Sequence, residues 1–140
     1  MQPEPRIAAP ELTKLFDESE ISARVEELAR AAAPRLPGSF VVVGLLVGSF
    51  VFVADLIRAF YRIGCKPSVE FMRLGSYGNA RESSGSVRLL GELELDLSGR
   101  AVLLVDDIVD TGRTLLYACD LLRDRRRRRG ADALRHKGGL

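Results

Sequence analysis

Apolar residues recur at Ile21, Val25, Leu28, Ala29 and Ala32 with charges between them, the spacing of one helix face, so residues 19–33 are expected to form an amphipathic helix. Asp17 or Ser19 can cap its start, acids lie in its first turns, and Pro34 with Pro37-Gly38 stops it. The pattern then turns from periodic to continuous. Residues 40–48, FVVVGLLVG, read as a central strand. No charge occurs from Phe40 to Ala54, which raises the question of a membrane span, but the run is shorter than the roughly 20 apolar residues a span needs. Gly44, Gly48 and Ser49 also break it. A strand, a glycine turn and a helix over 49–63 explain it better. That helix is expected to bury Phe52, Leu56, Ile57 and Phe60 while Asp55, Arg58 and Arg62 face water.

Gly64 ends the helix, and 68–74, SVEFMRL, alternates Val69, Phe71 and Leu74 with polar partners, which suggests a strand nearer a sheet edge. Residues 75–86, GSYGNARESSGS, carry Tyr77 as their one large apolar side chain and read as a loop. A short strand or hairpin is expected over 87–95, a turn at Leu97-Ser98-Gly99, and a strand over 101–105. A helix then starts at Thr111 or Gly112 and runs through Leu115, Leu116, Cys119 and Leu122. This order of elements predicts an α/β fold with a parallel, doubly wound sheet.

With 140 residues, 46% of them hydrophobic, the chain makes one domain near the usual minimum for an α/β enzyme. The divisions expected are a leader over 1–16, a body over 17–122 and a basic tail over 123–140. The opening MQPEPRIAAPEL has acids and prolines where a secretory signal needs basic residues and then an apolar core. Cys65 and Cys119 have neither metal-knuckle nor disulfide-framework spacing. Together these favour a reduced, cytoplasmic setting and no membrane partner. The net charge of +2 hides an acidic body, at −4 through Leu122, and a tail at +6. The five consecutive arginines Arg125 to Arg129 attract phosphates. They point around all sides of a helix, however, with no aromatic among them to stack bases, so no specific nucleic-acid partner is expected.

The densest chemistry lies in VLLVDDIVDTGRTL, Val102 to Leu115. An apolar strand ends in Asp106 and Asp107, Asp110 follows, and Thr111, Gly112, Arg113 and Thr114 open a helix. Backbone N–H groups and hydroxyls at a helix start suit a phosphate. No GxxxxGK[ST] pattern occurs, so this is not a Walker phosphate loop. Asp106 and Asp107 suit sugar hydroxyls or a divalent cation, and Asp110 is placed to move a proton on or off a heterocyclic nitrogen. Three acids directly behind a buried strand argue against a merely solvated loop. The set describes a ribose 5-phosphate site.

These residues resemble those of the hypoxanthine-guanine-type purine phosphoribosyltransferases, over about 12–122. ISARVEELA is similar to the family's N-terminal helix, VGLLVGSFVFVADLIRAF to its first strand, turn and helix, and SYG with SSG to the ends of its mobile loop. The resemblance implies purine salvage: transfer of a phosphoribosyl group from phosphoribosyl pyrophosphate to hypoxanthine or guanine, with Mg²⁺. It implies that Asp106 and Asp107 contact the ribose hydroxyls, directly or through Mg²⁺, that Asp110 is the acid/base, and that Thr111, Gly112, Arg113 and Thr114 hold the 5-phosphate. Leu46, Val47 and Gly48 match the pyrophosphate turn, where the family commonly has a cis peptide and a basic residue in place of Val47. Ser76 and Tyr77 would close over the reacting centre and exclude water. The family tends to form dimers or tetramers, so a homo-oligomer is compatible with it.

After Leu122 the chain reads RDRRRRRGADALRHKGGL, and the family's further strands and purine-covering segment are not recognisable. The expected fold is therefore the phosphoribosyltransferase sheet, C-terminally truncated, and a frameshifted or shortened reading frame is the hypothesis for the tail. The alternative to an enzyme is an inactive homologue that keeps only phosphoribosyl-phosphate binding.

Overall fold

The computed structural model describes residues 8–76 and 87–137, with the backbone alone described at 76 and over 129–137. Helix α1 (Glu18–Ala32) starts at Asp17. The Asp17 carboxylate accepts the Glu20 N–H at 2.8 Å, and the Glu20 carboxylate accepts the Asp17 N–H at 2.8 Å. This reciprocal box satisfies donors that a helix start leaves unpaired. The Ser19 hydroxyl also donates to Asp17, at 2.6 Å, and this bond, with the Glu20 N–H, holds the Asp17 carboxyl below the usual carboxylate range.

A 3-10 turn (Ala33–Arg35) follows, and the remaining elements are β1 (Val41–Leu46), α2 (Phe50–Arg62), β2 (Ser68–Ser76), β3 (Val87–Leu90), β4 (Val102–Val105) and α3 (Arg113–Lys137). The strands form one sheet in the order β3-β2-β1-β4. β1 pairs in parallel with both β2 and β4, and β3 runs antiparallel to β2. The sheet is thus mixed rather than wholly parallel. Too few residues separate Ser76 from Val87 for the crossover a parallel pairing requires.

Successive side chains of β1 point to opposite faces, and both faces are covered, which is why no polar residue interrupts the run. On one face α1 and α2 pack Val25, Ala29, Val53, Leu56 and Phe60 against Val42 and Val105. Phe40 meets Phe60 edge-on with ring centroids 5.1 Å apart. On the other face Val41, Val43, Leu45 and Met72 meet Leu93, Leu97 and, from α3, Ala118 and Leu122. Glu70 holds this second cover in place by accepting the N–H groups of Glu94 at 3.2 Å and Leu95 at 3.0 Å. At the start of the parallel strands Arg100 donates from Nε to the Ser39 carbonyl at 2.8 Å and from Nη2 to the Ser68 hydroxyl at 2.8 Å.

Several sequence expectations change. β2 lies inside the sheet, because β3 adds to its outer side, and its fully buried residue is Met72 rather than Val69. β4, read as a buried strand, is an edge among the described residues, and Val102 to Leu104 are only partly buried. β2 also runs on through Gly75 and Ser76, which were expected to be loop. In α2 the fully buried positions are Val53, Leu56, Ala59 and Phe60, with Phe52 and Ile57 at the margin. Finally, α3 continues past Leu122 to Lys137, because arginine, alanine and leucine are all strong helix formers. Both cysteines are free and partly buried. Among the described residues no helix is long and apolar enough to cross a membrane.

Phe60, fully buried between the helices and the sheet, is the side chain whose loss the first core tolerates least. Phe60→Ala is expected to cost about 3–5 kcal/mol in urea denaturation, whereas Leu12→Ala, at a residue 92% exposed, changes stability by no more than about 0.5 kcal/mol. Equal effects would contradict this core.

Candidate active site

Parallel pairing places the C-terminal ends of β1, β2 and β4 at one end of the sheet. In register, Gly44 lies beside Val105, so Asp106 and Asp107 follow β4 at the level where Leu45 and Leu46 finish β1. Leu46 pairs with Arg73, so β2 carries Ser76 three residues further in the same direction. The turn 46–48, Ser76 and the acid loop therefore share one rim, the end at which open α/β sheets bind ligands. Tyr77 lies outside the described residues.

The turn after β1 is held from within. The Ser49 hydroxyl, fully buried, donates to the Leu45 carbonyl at 2.5 Å, and the Ser49 N–H points to the same oxygen at 3.3 Å. The Ser49 carbonyl in turn accepts the Val53 N–H at 2.8 Å inside α2. In the sequence Ser49 reads only as a break in the apolar run; a serine directly after the glycine turn was the available signal. The Leu46–Val47 peptide is cis, at the position where the resemblance places one. Val47 itself is 64% exposed and carries no charge, so what this turn offers a ligand is backbone.

Gly48 joins the turn to the acid loop. A Cβ built on Gly48 would overlap the Asp107 carboxylate, reaching 2.7 Å from its Cγ. Only a residue without a side chain lets the two loops approach so closely. Asp107 is fixed from its other side, since one of its oxygens accepts the Ile108 N–H at 2.9 Å. Asp106 likewise accepts the Asp107 N–H at 2.9 Å. Each acid thus commits one oxygen to the backbone. Partial burial pushes the Asp106 carboxyl above the usual carboxylate range; the Asp107 N–H opposes this and the adjoining Asp107 carboxyl adds to it.

Asp110 stands exposed three residues beyond Asp107. At the next turn Thr111 Oγ1 accepts the Arg113 N–H at 3.3 Å, and the Gly112 carbonyl accepts the Leu116 N–H at 2.9 Å, which opens α3. Gly112 has φ +78, a left-handed conformation that side-chain-bearing residues rarely adopt. Thr111, Arg113 and Thr114 are all exposed around it. The loop therefore presents a carboxylate, two hydroxyls, a guanidinium and the N-terminal N–H groups of a long helix within nine residues of the β4 strand.

Residues 13–129 match the model of the phosphoribosyl transferase domain. The chain belongs to the phosphoribosyl transferase domain family. It is 44% identical over 118 residues to the hypoxanthine-guanine phosphoribosyltransferase of Aquifex aeolicus, covering 83% of this chain and 65% of that one. To the enzyme of the same name from Dictyostelium discoideum it is 42% identical over 113 residues, covering 79% and 63%. Among solved structures, the hypoxanthine phosphoribosyl transferase of Trypanosoma cruzi superposes with a TM-score of 0.72 at 38% identity, over 81% of this chain and 63% of that one. A variant of that enzyme complexed with its product IMP superposes with a TM-score of 0.71. The chain spans less than two thirds of the length of these relatives. The family match runs through Leu122 into the arginine run.

Because Asp106 is harder to ionise folded than unfolded, its negative charge is a cost to stability that is present above its raised pKa and disappears as pH falls below the ordinary carboxylate value. Asp106→Asn is expected to raise the melting temperature at neutral pH by about 1–3 °C, and the difference from wild type closes at strongly acid pH. A variant less stable than wild type at neutral pH would overturn this electrostatic reading.

Proposed function

We propose that this phosphoribosyl transferase domain binds phosphoribosyl pyrophosphate at the rim formed by the β1 turn and the acid loop. It transfers the phosphoribosyl group to hypoxanthine or guanine, giving a nucleoside monophosphate and pyrophosphate. The observation that carries the reading is the contact of Gly48 with Asp107, which makes one site of two loops distant in sequence. The identity to enzymes named for this activity supports it. A cytoplasmic setting and a purine base as the second substrate belong to the same proposal.

In this reading Thr111, Gly112, Arg113 and Thr114 hold the 5-phosphate through hydroxyls, guanidinium and helix-start N–H groups. Leu46, Val47 and Gly48 hold the pyrophosphate through backbone. Asp106 and Asp107 take the ribose hydroxyls and would hold Mg²⁺. Hard carboxylate oxygens suit that ion, which is commonly held by one or two carboxylates with the rest of its shell from water and substrate phosphates. Partial burial, with a smaller contribution from the adjoining Asp107 carboxyl, raises Asp106, and a nearby cation favours the ionised form of both acids, so the donor set fits. Bound there, Mg²⁺ would supply charge neutralisation for the leaving pyrophosphate.

The bond from the ribose carbon to pyrophosphate breaks as the bond from that carbon to a purine ring nitrogen forms. The proton on that nitrogen passes to Asp110, which is exposed and therefore open to a base approaching the rim. Ser76, at the end of β2, together with Tyr77 would cover the centre and keep water from the electron-poor carbon.

Incubating purified protein with hypoxanthine or guanine, phosphoribosyl pyrophosphate and Mg²⁺ is expected to yield the mononucleotide. Asp110→Asn lowers turnover about a hundredfold or more while affinity for phosphoribosyl pyrophosphate stays within about threefold of wild type. Binding without product in the wild-type chain would reduce the function to phosphoribosyl-phosphate binding alone. Equal loss of turnover and affinity in the variant would remove Asp110 from the proton-transfer role.

A further inference from the structure

The packing of α3 sorts its arginines by face, which consecutive arginines in a sequence do not reveal. Ala118 and Leu122 are buried against the sheet, and one turn further on Arg125 lies against Leu93, Leu95 and Leu97. Arg123, Arg126 and Arg127, spaced i, i+3 and i+4, share the adjacent face. With the turn at Gly99 they line an open hollow of about 420 Å³. That turn precedes β4, so the hollow lies at the opposite end of the sheet from Asp106 and Asp107.

The charge in this hollow is largely uncompensated. Asp120 lies 3.5 Å from the Arg123 guanidinium, and Asp124 is taken by Arg128 at 3.0 Å. Neither Arg126 nor Arg127 has an ion-pair partner among the described residues. Three planar guanidiniums around one concavity offer the forked donor sets that match phosphate oxygens two at a time.

We propose that Arg123, Arg126 and Arg127 form a second anion site, which binds a small molecule carrying two or more linked phosphate groups. A compact oligophosphate is favoured over nucleic acid because the basic residues converge on a single hollow, and none of the residues lining it is an aromatic on which a base could stack. The site is independent of the catalytic reading.

The test is calorimetric titration of the full chain with inorganic tripolyphosphate, at low and at raised salt, for wild type and for the double variant Arg126→Gln with Arg127→Gln. The expected result is saturable binding that weakens with salt and falls about tenfold or more in the double variant. Both positions are exposed, so the variant is expected to melt as wild type does, and its affinity for phosphoribosyl pyrophosphate with Mg²⁺ stays unchanged. No binding by wild type, or equal affinity in the double variant, would overturn the site, the second outcome by placing the anion at the Thr111–Thr114 turn or elsewhere. A single-stranded RNA that displaces tripolyphosphate and binds more tightly at the same salt would overturn the choice of a small ligand.

Discussion

The alignment of β1 with β4 is the constraint on which the rest depends. β1 is the strand through which the sheet is built: β2 and β4 both pair with it in parallel, and its side chains anchor both hydrophobic clusters. A one-residue slip of β4 along β1 would send Val105 to the wrong face. It would also pull Asp107 away from Gly48, so the register that buries the core is the register that assembles the rim. Folding energy and site geometry are therefore set by the same pairing.

The two ends of the sheet divide the work. At the start of the parallel strands Arg100 donates from Nε and Nη2 to Ser39, Phe40 and Ser68, tying the starts of three strands together. At the other end the polar groups are kept available. Asp106 and Asp107 are crowded, Asp106 resists ionisation, Val47 and Ile108 stand exposed, and Gly112 adopts a conformation closed to most residues. A carboxyl held against its ordinary ionisation, at the end where such sheets bind ligands, is the kind of local cost expected where a fold is shaped for chemistry.

Much of this was legible in the sequence, for identifiable reasons. The capped helix at Asp17 follows from an acid three residues before Glu20 and an apolar period behind it, and β1 follows from a run with no polar interruption. The acid-rich loop was readable because few other arrangements place three carboxylates between an apolar strand and a Thr-Gly-Arg-Thr turn. The missed features are those that depend on partners. Met72, between Phe71 and Arg73, carries no sign of full burial until β3 extends the sheet and the 93–97 segment covers that face, so β2 read as nearer an edge. The Gly48 contact with Asp107 spans 59 positions, and no local pattern announces it. The arginines read as undirected charge until Leu122 and Ala118 fixed which way the helix faces.

Whether the meeting of Gly48 and Asp107 makes one phosphoribosyl pyrophosphate site is decided by calorimetric titration of that ligand with Mg²⁺ into wild type and Gly48→Ala. Gly48 has an ordinary backbone conformation, and the added methyl displaces only the end of a side chain, so the variant is expected to fold and to lose about 1 kcal/mol of stability with the Asp107–Ile108 bond. Wild type is expected to bind saturably, and affinity is expected to be about tenfold or more weaker in Gly48→Ala. Wild type that fails to bind, or a variant that binds as wild type does, would contradict this.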